Sequence, residues 1–368
     1  MNISVGIVGL PGVGKTLLFN ALTRKSTTSG RSTTATLPVP DERLDTLARM
    51  YKPKRVVPTG VQMVDVAGLV KGGSKDGGLG GQFLGQLQSV NSLAIVVRCY
   101  DRPDIGFGPD TAQPLSDLEG IILELQLSDL ARVDKRLERT SKAARSRDPQ
   151  AQREEQALLA LREALDAGRS ARSVELSDTD LQSLKDLALT TLKPFIIVAN
   201  VSEEDLSILY NPAAEDSSGI REMIASIEAA AQQYDAEVAV VSALLESELA
   251  ELESEDAMEY LASIGVADTG LSRFITAAYR ELGVLTFLTA GTPEVRAWTV
   301  RKGAKAPEAA GVIHSDIERG FIRIEVTPFD QLVEAGSEAK AKEFGYTRVE
   351  GKEYVMQEGD VVYFRFNV

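Results

Sequence analysis

The stretch Gly9-Leu10-Pro11-Gly12-Val13-Gly14-Lys15-Thr16 follows the pattern G-x-x-x-x-G-K-[ST]. Glycines at those positions let a loop wrap closely around phosphate, with backbone N–H groups aimed at its oxygens. The lysine of this pattern reaches the β- and γ-phosphate oxygens, and the hydroxyl after it ligates Mg2+. Pro11, Gly12, Val13, Gly14, Lys15 and Thr16 are therefore candidate nucleotide-binding residues. Lys15 is the candidate catalytic cation and Thr16 a candidate metal ligand. The loop follows an apolar strand-like run and opens a helix-like one, which is the context such a loop needs.

A second group of residues fits the same chemistry. Asp65-Val66-Ala67-Gly68 ends another apolar run as D-x-x-G. Asp65 can hold Mg2+ through water, and the Gly68 N–H can touch the γ-phosphate, which makes Gly68 a candidate catalytic residue beside Lys15. The next residue is Leu69, where GTPases of the Ras type carry a water-orienting glutamine. Leucine cannot orient water by hydrogen bonding, so either another group does so or hydrolysis is slow and awaits a partner. The segment from Lys71 to Gly85 holds seven glycines, as suits a switch segment. Further on, Asn200-Val201-Ser202-Glu203 stands where GTPases carry N-K-x-D. There the aspartate accepts two N–H bonds from guanine. Glu203 sets the carboxylate one methylene further out, so that contact should fail, whereas adenine has no matching pair of donors to lose. Ser242-Ala243 is placed to pack beside the base. Asn200, Val201, Glu203, Ser242 and Ala243 complete the nucleotide-binding set.

These residues need a scaffold that brings loop ends together. Ile3–Leu10, Val61–Val66, Ser92–Tyr100, Pro194–Val201 and Ala236–Ala243 read as apolar strands separated by helices. Continuous apolar strands of this kind imply a mostly parallel sheet covered on both faces, an α/β fold. Residues 114–190 interrupt the alternation. Leu123, Leu130 and Leu137 recur every seven residues, and Leu158, Leu161 and Leu165 resume after a turn at Ser146–Gln152. That pattern predicts an inserted antiparallel helical hairpin. From residue 284 the strands shorten: Leu285–Thr289, Glu294–Val300, Phe321–Val326, Tyr354–Met356 and Val361–Val368, with one helix near Ala304–Ile313. A separate small α+β module is expected there.

The chain has 368 residues, a formal net charge of −14, one Cys and one His. Cys99 alone cannot form an internal disulfide, and Cys99 with His314 cannot build a Cys/His zinc site. His-based hydrolysis would have to use His314, far in sequence from the phosphate loop. Cys99 reads as a small core residue, His314 as a surface or packing residue and Trp298 as core. The charge is uneven: residues 1–200 are net +3, residues 201–283 net −15 and residues 284–368 net −2. Within Ala131–Arg147, Arg132, Lys135, Arg136, Arg139, Lys142, Arg145 and Arg147 oppose only Asp134 and Glu138. That stretch is either a solvated helix face or a contact for an anionic partner. No apolar run approaches the roughly 20 residues of a membrane span, and no leader pattern is evident. A cytoplasmic location is expected.

The strings GLPGVGKTLLFNALTR, VDVAGLVKG, NVSEED and GDVVYFRFNV together resemble the YchF / Obg-like ATPase family, translation-factor-related P-loop GTPases, along essentially the whole chain. The resemblance implies a P-loop G domain over 1–283 and an inserted helical (coiled-coil) arm over 114–190. It also implies a β-grasp (TGS) domain over 284–368. It implies ATP as substrate, Mg2+ as cofactor, and a ribosomal partner, RNA or protein, met by the arm and the TGS domain of a monomer with no membrane contact. A GTPase of the same fold and a ribosome-binding module with a barely active nucleotide site are the alternatives. Two departures stand out. Gly12 stands where the family usually carries an asparagine, a residue associated with potassium-dependent activity in related GTPases. Switch I looks short, so that its Mg2+ ligand is uncertain among Ser29, Thr33 and Thr34, with Thr33 or Thr34 preferred. The family pattern resumes at Pro38.

Overall fold

The computed structural model describes residues 3–24, 33–66, 81–101, 111–146 and 148–367. Ser29, Gly68, Leu69, most of the glycine-rich run and Arg147 lie outside the described residues.

The chain begins with β1 (Ser4–Gly9), α1 (Lys15–Arg24), β2 (Thr34–Pro38), α2 (Glu42–Tyr51), β3 (Val56–Val57), β4 (Gly60–Asp65), α3 (Gly81–Ser89) and β5 (Ser92–Arg98). Next come α4 (Pro114–Ala144), α5 (Pro149–Asp166), α6 (Asp178–Ser183), β6 (Phe195–Asn200), α7 (Glu203–Tyr210) and α8 (Ile220–Gln233). They are followed by β7 (Val238–Val241), α9 (Ala243–Leu249), α10 (Ser254–Ser263) and α11 (Gly270–Glu281). The remainder is β8 (Val284–Ala290), β9 (Val295–Arg301), α12 (Ala306–Ile313), α13 (Ser315–Arg319), β10 (Phe321–Pro328), α14 (Phe329–Ala335), α15 (Glu338–Glu343), β11 (Arg348–Glu350) and β12 (Asp360–Phe366).

The first sheet has the order β2-β4-β1-β5-β6-β7. Its central pairs β1–β5, β5–β6 and β6–β7 are parallel. All residues of β1, β5 and β6 are buried, which is why these strands read as unbroken apolar runs. The edge strand β2 was not expected. The Asp65 N–H donates to the Thr33 carbonyl at 2.8 Å and the Val39 N–H to Thr59 at 2.9 Å, so β2 runs antiparallel to β4. Ala35, Leu37 and Val39 are buried in alternation with exposed Thr36 and Pro38, a period of two that the Ser/Thr-rich run before it obscured.

Helix α4 is a single helix of 31 residues. Its first half, through Leu118, Ile121, Ile122 and Leu125, belongs to the core of the first sheet. Its second half, from Leu130 through Val133 to Leu137, packs on Leu158, Leu161 and Leu165 of α5 in a separate core. The seven-residue seam therefore holds at Leu130 and Leu137 but not at Leu123, which is 52% exposed. Asp148 caps α5 by accepting from the Gln150 N–H, with Pro149 in the first helical turn.

The second sheet has the order β11-β10-β12-β8-β9-β3. One face is covered by Ala306, Ala309 and Ala310 of α12 against Phe287, Ile324 and Phe364. The other carries Leu288, Val295 and Val361 under Leu332 of α14 and, unexpectedly, Leu44 and Leu47 of α2. The two-residue strand β3 pairs in parallel with β9. The compact units of the chain are accordingly Ser4–Ala35 with Met63–Ala278, and Met1–Ile3 with Thr36–Gln62 and Tyr279–Val368. This division differs from a cut at residue 283 because α2 and β3 bury their apolar side chains in the second sheet. The expected strand Tyr354–Met356 is reduced to a bridge between Lys305 and Val355. The Asp360 carboxylate accepts from the Gln357 N–H and the Tyr354 hydroxyl and bends the chain into a turn there.

Leu158 is fully buried between the two arm helices. Leu158→Ala should destabilise the arm by about 2–5 kcal/mol through lost burial and a residual cavity. Hydrogen exchange of α4 beyond residue 130 and of α5 would accelerate, while that of β1, β5 and β6 stays unchanged.

Candidate nucleotide site

The phosphate loop spans the turn from the buried strand β1 to α1. Two of its glycines cannot be replaced without moving the backbone. A Cβ on Gly9 would lie 2.6 Å from the Val96 carbonyl oxygen of β5. Gly14 has φ +96°, and a Cβ there would lie 2.3 Å from the Asn200 side-chain nitrogen. Gly14 also accepts the first helical bond of α1, from the Leu18 N–H at 2.9 Å. The N-terminus of α1 thus faces the loop, an arrangement that favours anions.

Lys15 folds over this loop. Its ammonium donates to the carbonyls of Gly9 at 2.8 Å and Leu10 at 2.7 Å. Burial lowers its pKa to about 8, and the charge of Asp65 partly opposes that shift. Burial likewise raises the Asp65 carboxyl, with Lys15 opposing. Each group is pushed toward neutrality by desolvation and held ionised by the other. Thr16 is exposed at the start of α1. Asp65 closes β4, and its N–H bond to Thr33 brings the start of β2 beside it. Thr33 and Thr34 therefore both lie next to the strand end that carries the candidate metal carboxylate. Hydroxyl and carboxylate oxygens are hard donors of the kind Mg2+ takes, in a set that leaves room for water and phosphate.

Asn200 is the residue that joins the parts. Its side-chain amide nitrogen donates to the Val13 carbonyl at 2.9 Å, and its oxygen accepts from the Ala243 N–H at 2.9 Å. One buried side chain therefore bolts the phosphate loop to the end of β6 and to the start of α9. Ala243 consequently offers packing rather than its N–H. Ser242, at the end of β7, has a buried hydroxyl with no hydrogen-bond partner among the described residues. Ser202 caps α7 by accepting from the Asp205 N–H at 3.0 Å, which sets Glu203 in the first helical turn. The Glu203 carboxylate accepts the hydroxyl of Tyr260 from α10. That hydrogen bond raises the Tyr260 pKa. The sequence reading missed Tyr260, since nothing in the spacing of α10 announces it. Pro11 and Gly12 are exposed at the loop tip, Val13 is buried, and Val201 is buried just after β6.

Among the other singled-out residues, Cys99 lies beside Asn200, its N–H donating to the Asn200 carbonyl at 2.8 Å. Cys99 is buried, and burial pushes its thiol up to about 12. The exposed His314 ring accepts from the Asp316 N–H and caps α13. Trp298 is half-buried, stacked near Phe287 and covered by Arg296 at 4.1 Å.

The family description "50S ribosome-binding GTPase" matches residues 4–132, and the YchF-type GTPase C-terminal family, described as a protein of unknown function, matches residues 284–367. The chain is 45% identical over 375 aligned positions to "Ribosome-binding ATPase YchF" of Bacillus subtilis (strain 168), covering 100% of both chains. The chain belongs to the YchF family. A relative of the same printed name from Haemophilus ducreyi is 42% identical, again over the full length of both. The solved "Structure of the Schizosaccharomyces pombe YchF GTPase" superposes with a TM-score of 0.86 at 31% identity, covering 99% of this chain and 98% of that one. The phosphate loop, Asp65 and the Asn200–Glu203 segment of this YchF member thus sit in a fold already seen for the family. The names of these relatives differ over ATPase and GTPase.

Asn200→Ala would leave the Val13 carbonyl and Ala243 N–H without their partner and loosen the phosphate loop. Nucleotide affinity should fall about tenfold or more, roughly 1.4 kcal/mol or above, when measured by titration with a fluorescent ATP analogue.

Proposed function

We propose that this YchF-family protein is an ATP-hydrolysing switch that binds the ribosome. The observation that carries the reading is the phosphate loop, tied by Asn200 to a base-side segment whose acidic residue is Glu203 rather than aspartate. The ATP reading is supported by two features of Glu203. Its carboxylate is a methylene longer than the guanine-reading aspartate, and it already accepts the Tyr260 hydroxyl. Guanine would need both of its oxygens, whereas adenine asks nothing of them.

Catalysis is positioning and charge stabilisation. Backbone N–H groups of the loop and the α1 N-terminus hold the β- and γ-phosphates. Lys15 leaves the Gly9 and Leu10 carbonyls for the phosphate oxygens and places its charge where negative charge develops. The anionic phosphates favour the ammonium form against the burial that depresses it. Thr16 and Asp65 are the residues that would hold Mg2+, with Thr33 or Thr34 as the switch I ligand. When bound, the ion supplies charge neutralisation at the phosphates. Gly68 is proposed as the γ-phosphate contact, and water is the nucleophile.

The ribosome enters through what the relatives are called, and the arm offers a surface for it. Arg136 pairs with Glu154 and Asp186, and Arg132 donates to the Ala188 carbonyl, so both serve the arm itself. Lys135, Arg139, Lys142 and Arg145 are exposed. At helical spacing they line one side of α4, with Glu138 among them. The second unit is proposed as a TGS-type module contacting RNA or ribosomal protein. The protein is proposed to be a cytoplasmic monomer; among the described residues no helix is long and apolar enough to cross a membrane.

Lys15→Ala should abolish hydrolysis, and chelation of Mg2+ with EDTA should do the same to the unaltered protein. Unchanged turnover in either case overturns the site assignment. In competition against a labelled ATP analogue, ATP should displace better than GTP; the reverse order makes the protein a GTPase. Lys135→Glu with Arg139→Glu should weaken ribosome co-sedimentation and flatten its salt dependence by about two ion releases. Unaltered co-sedimentation removes the arm from the contact.

A further inference from the structure

The arm and the nucleotide site belong to one compact unit, and a half-buried lysine lies between them. Lys193 follows the short turn Thr190–Leu192 at the point where the chain returns from the arm to β6. Its ammonium donates to the carbonyls of Leu87 at 2.6 Å, Gln88 at 2.9 Å and Val90. These are carbonyls at and just beyond the C-terminal end of α3. A helix leaves its last four carbonyls without internal partners and carries partial negative charge there, so a cation is favoured at that end. Three acceptors on one ammonium use all of its donors.

The same end of α3 touches the arm. The Arg132 guanidinium of α4 lies 3.2 and 3.0 Å from the Gln88 amide, whose oxygen is assigned to that side because it then faces donors. Arg132 also donates to the Ala188 carbonyl at 3.0 Å. Asp129, one turn earlier and fully buried, accepts from the Thr190 N–H at 3.1 Å, the Thr191 N–H at 2.7 Å and the Thr191 hydroxyl at 2.8 Å. Asp129 and Arg132 thus fix the loop that carries Lys193. They stand where α4 passes from the core of the first sheet into the core of the arm, between Leu125 and Val133.

On its other side, α3 is keyed to the strand that bears Asp65. Leu87 and Val90 share a core with Val66, the residue after Asp65. A Cβ added to Gly6 would lie 3.0 Å from Val90 and 3.1 Å from Val66, so both side chains converge on one spot of β1. A continuous set of contacts therefore runs from Asp65–Val66, through the end of α3 and Lys193, to the base of α4.

We propose that Lys193 is a positioning residue, a joint that holds the end of α3 on the base of the arm so that nucleotide state and arm contact influence each other. The proposal rests on the ATP-switch reading above. A cation that merely caps a helix would give stability without such coupling. By linkage, whatever the nucleotide does to the arm, a partner on the arm does to nucleotide affinity.

The test is hydrogen exchange of the full chain with and without Mg2+ and a non-hydrolysable ATP analogue. It compares unaltered protein with Lys193→Met and with Gln88→Ala. Unchanged exchange of β1, β5 and β6 in Lys193→Met would show that the methionine is tolerated, and truncation of the exposed Gln88 separates the Arg132 contact from the Lys193 one. In the unaltered protein the analogue should slow exchange at residues 9–16 and also at 114–133 and 188–193. In Lys193→Met the effect at 9–16 should remain and the effect in the arm should be lost; in Gln88→Ala, which keeps Lys193 on its three carbonyls and removes only the Arg132 contact, the arm effect should be weakened but kept. Turnover in Lys193→Met should fall about 2- to 30-fold with the KM for ATP nearly constant, the span expected of a coupling residue. An arm that does not respond in the unaltered protein, or responds equally in Lys193→Met, overturns the joint. Absence of protection at residues 9–16 overturns the ATP reading and the joint together.

Discussion

The side chain of Asn200 holds the nucleotide end of this fold together. One amide reaches the phosphate loop on one side and the start of α9 on the other. Its position depends on the parallel register of β1, β5, β6 and β7, which sets Gly9, Val96, Val198 and Ala239 in one row across the sheet. A one-residue slip in β6 would turn Asn200 to the opposite face and replace it with an apolar neighbour. The buried register explains why the loop needs glycine at residue 14: the space a Cβ would fill already holds the Asn200 nitrogen. Phosphate loop, base-side segment and sheet therefore form a single geometric constraint.

The arm depends on a comparable device. Burying the Asp129 carboxylate is costly, and burial pushes its pKa up. Two backbone N–H groups, one hydroxyl and the nearby Arg132 offset that cost. A carboxylate held by several donors in this way specifies one arrangement of the arm's exit loop, where an apolar contact would tolerate several. Lys193 extends the cluster to the end of α3. Burial lowers the Lys193 pKa to about 8, with the charge of Asp129 opposing and that of Arg132 adding to the shift, while its three N–H groups meet three carbonyls. The charge is retained because neutralising it would leave acceptors at a helix end without a donor.

Much of this was legible in the sequence because its signals are local. The phosphate loop is a contiguous pattern, the buried strands are unbroken apolar runs, and Asp148-Pro149 marks the turn between α4 and α5. What was not legible depends on partners distant in the chain. Strand β3 has two residues and no periodicity; only its pairing with β9 makes it a strand. The apolar face of α2 is readable, but nothing local says that Leu44 and Leu47 cover β8, β9 and β12 rather than the first sheet. Leu123 fits a heptad with Leu130 and Leu137, yet α4 has already turned its other face to the main core at that level. The bond from Tyr260 to Glu203 spans 57 residues and has no signature at either end.

Charge shows the same limit from another side. Seven positive side chains lie in Ala131–Arg147, and the structure divides the six described ones by helix face. Arg132 and Arg136 face inward and bond to Ala188, Glu154 and Asp186. Lys135, Arg139, Lys142 and Arg145 face water. The inward pair fixes the shape of the arm, and the outward set supplies its field. An anionic partner would therefore meet Lys135, Arg139, Lys142 and Arg145, on a helix whose Arg132 and Arg136 are already engaged within the arm. A partner held in this way is positioned along a line of fixed pitch, about 1.5 Å per residue. That line ends near the turn between α4 and α5 and begins beside the cluster that carries Lys193. Force or torque applied along it would act on that cluster first, because α4 is unbroken between the two.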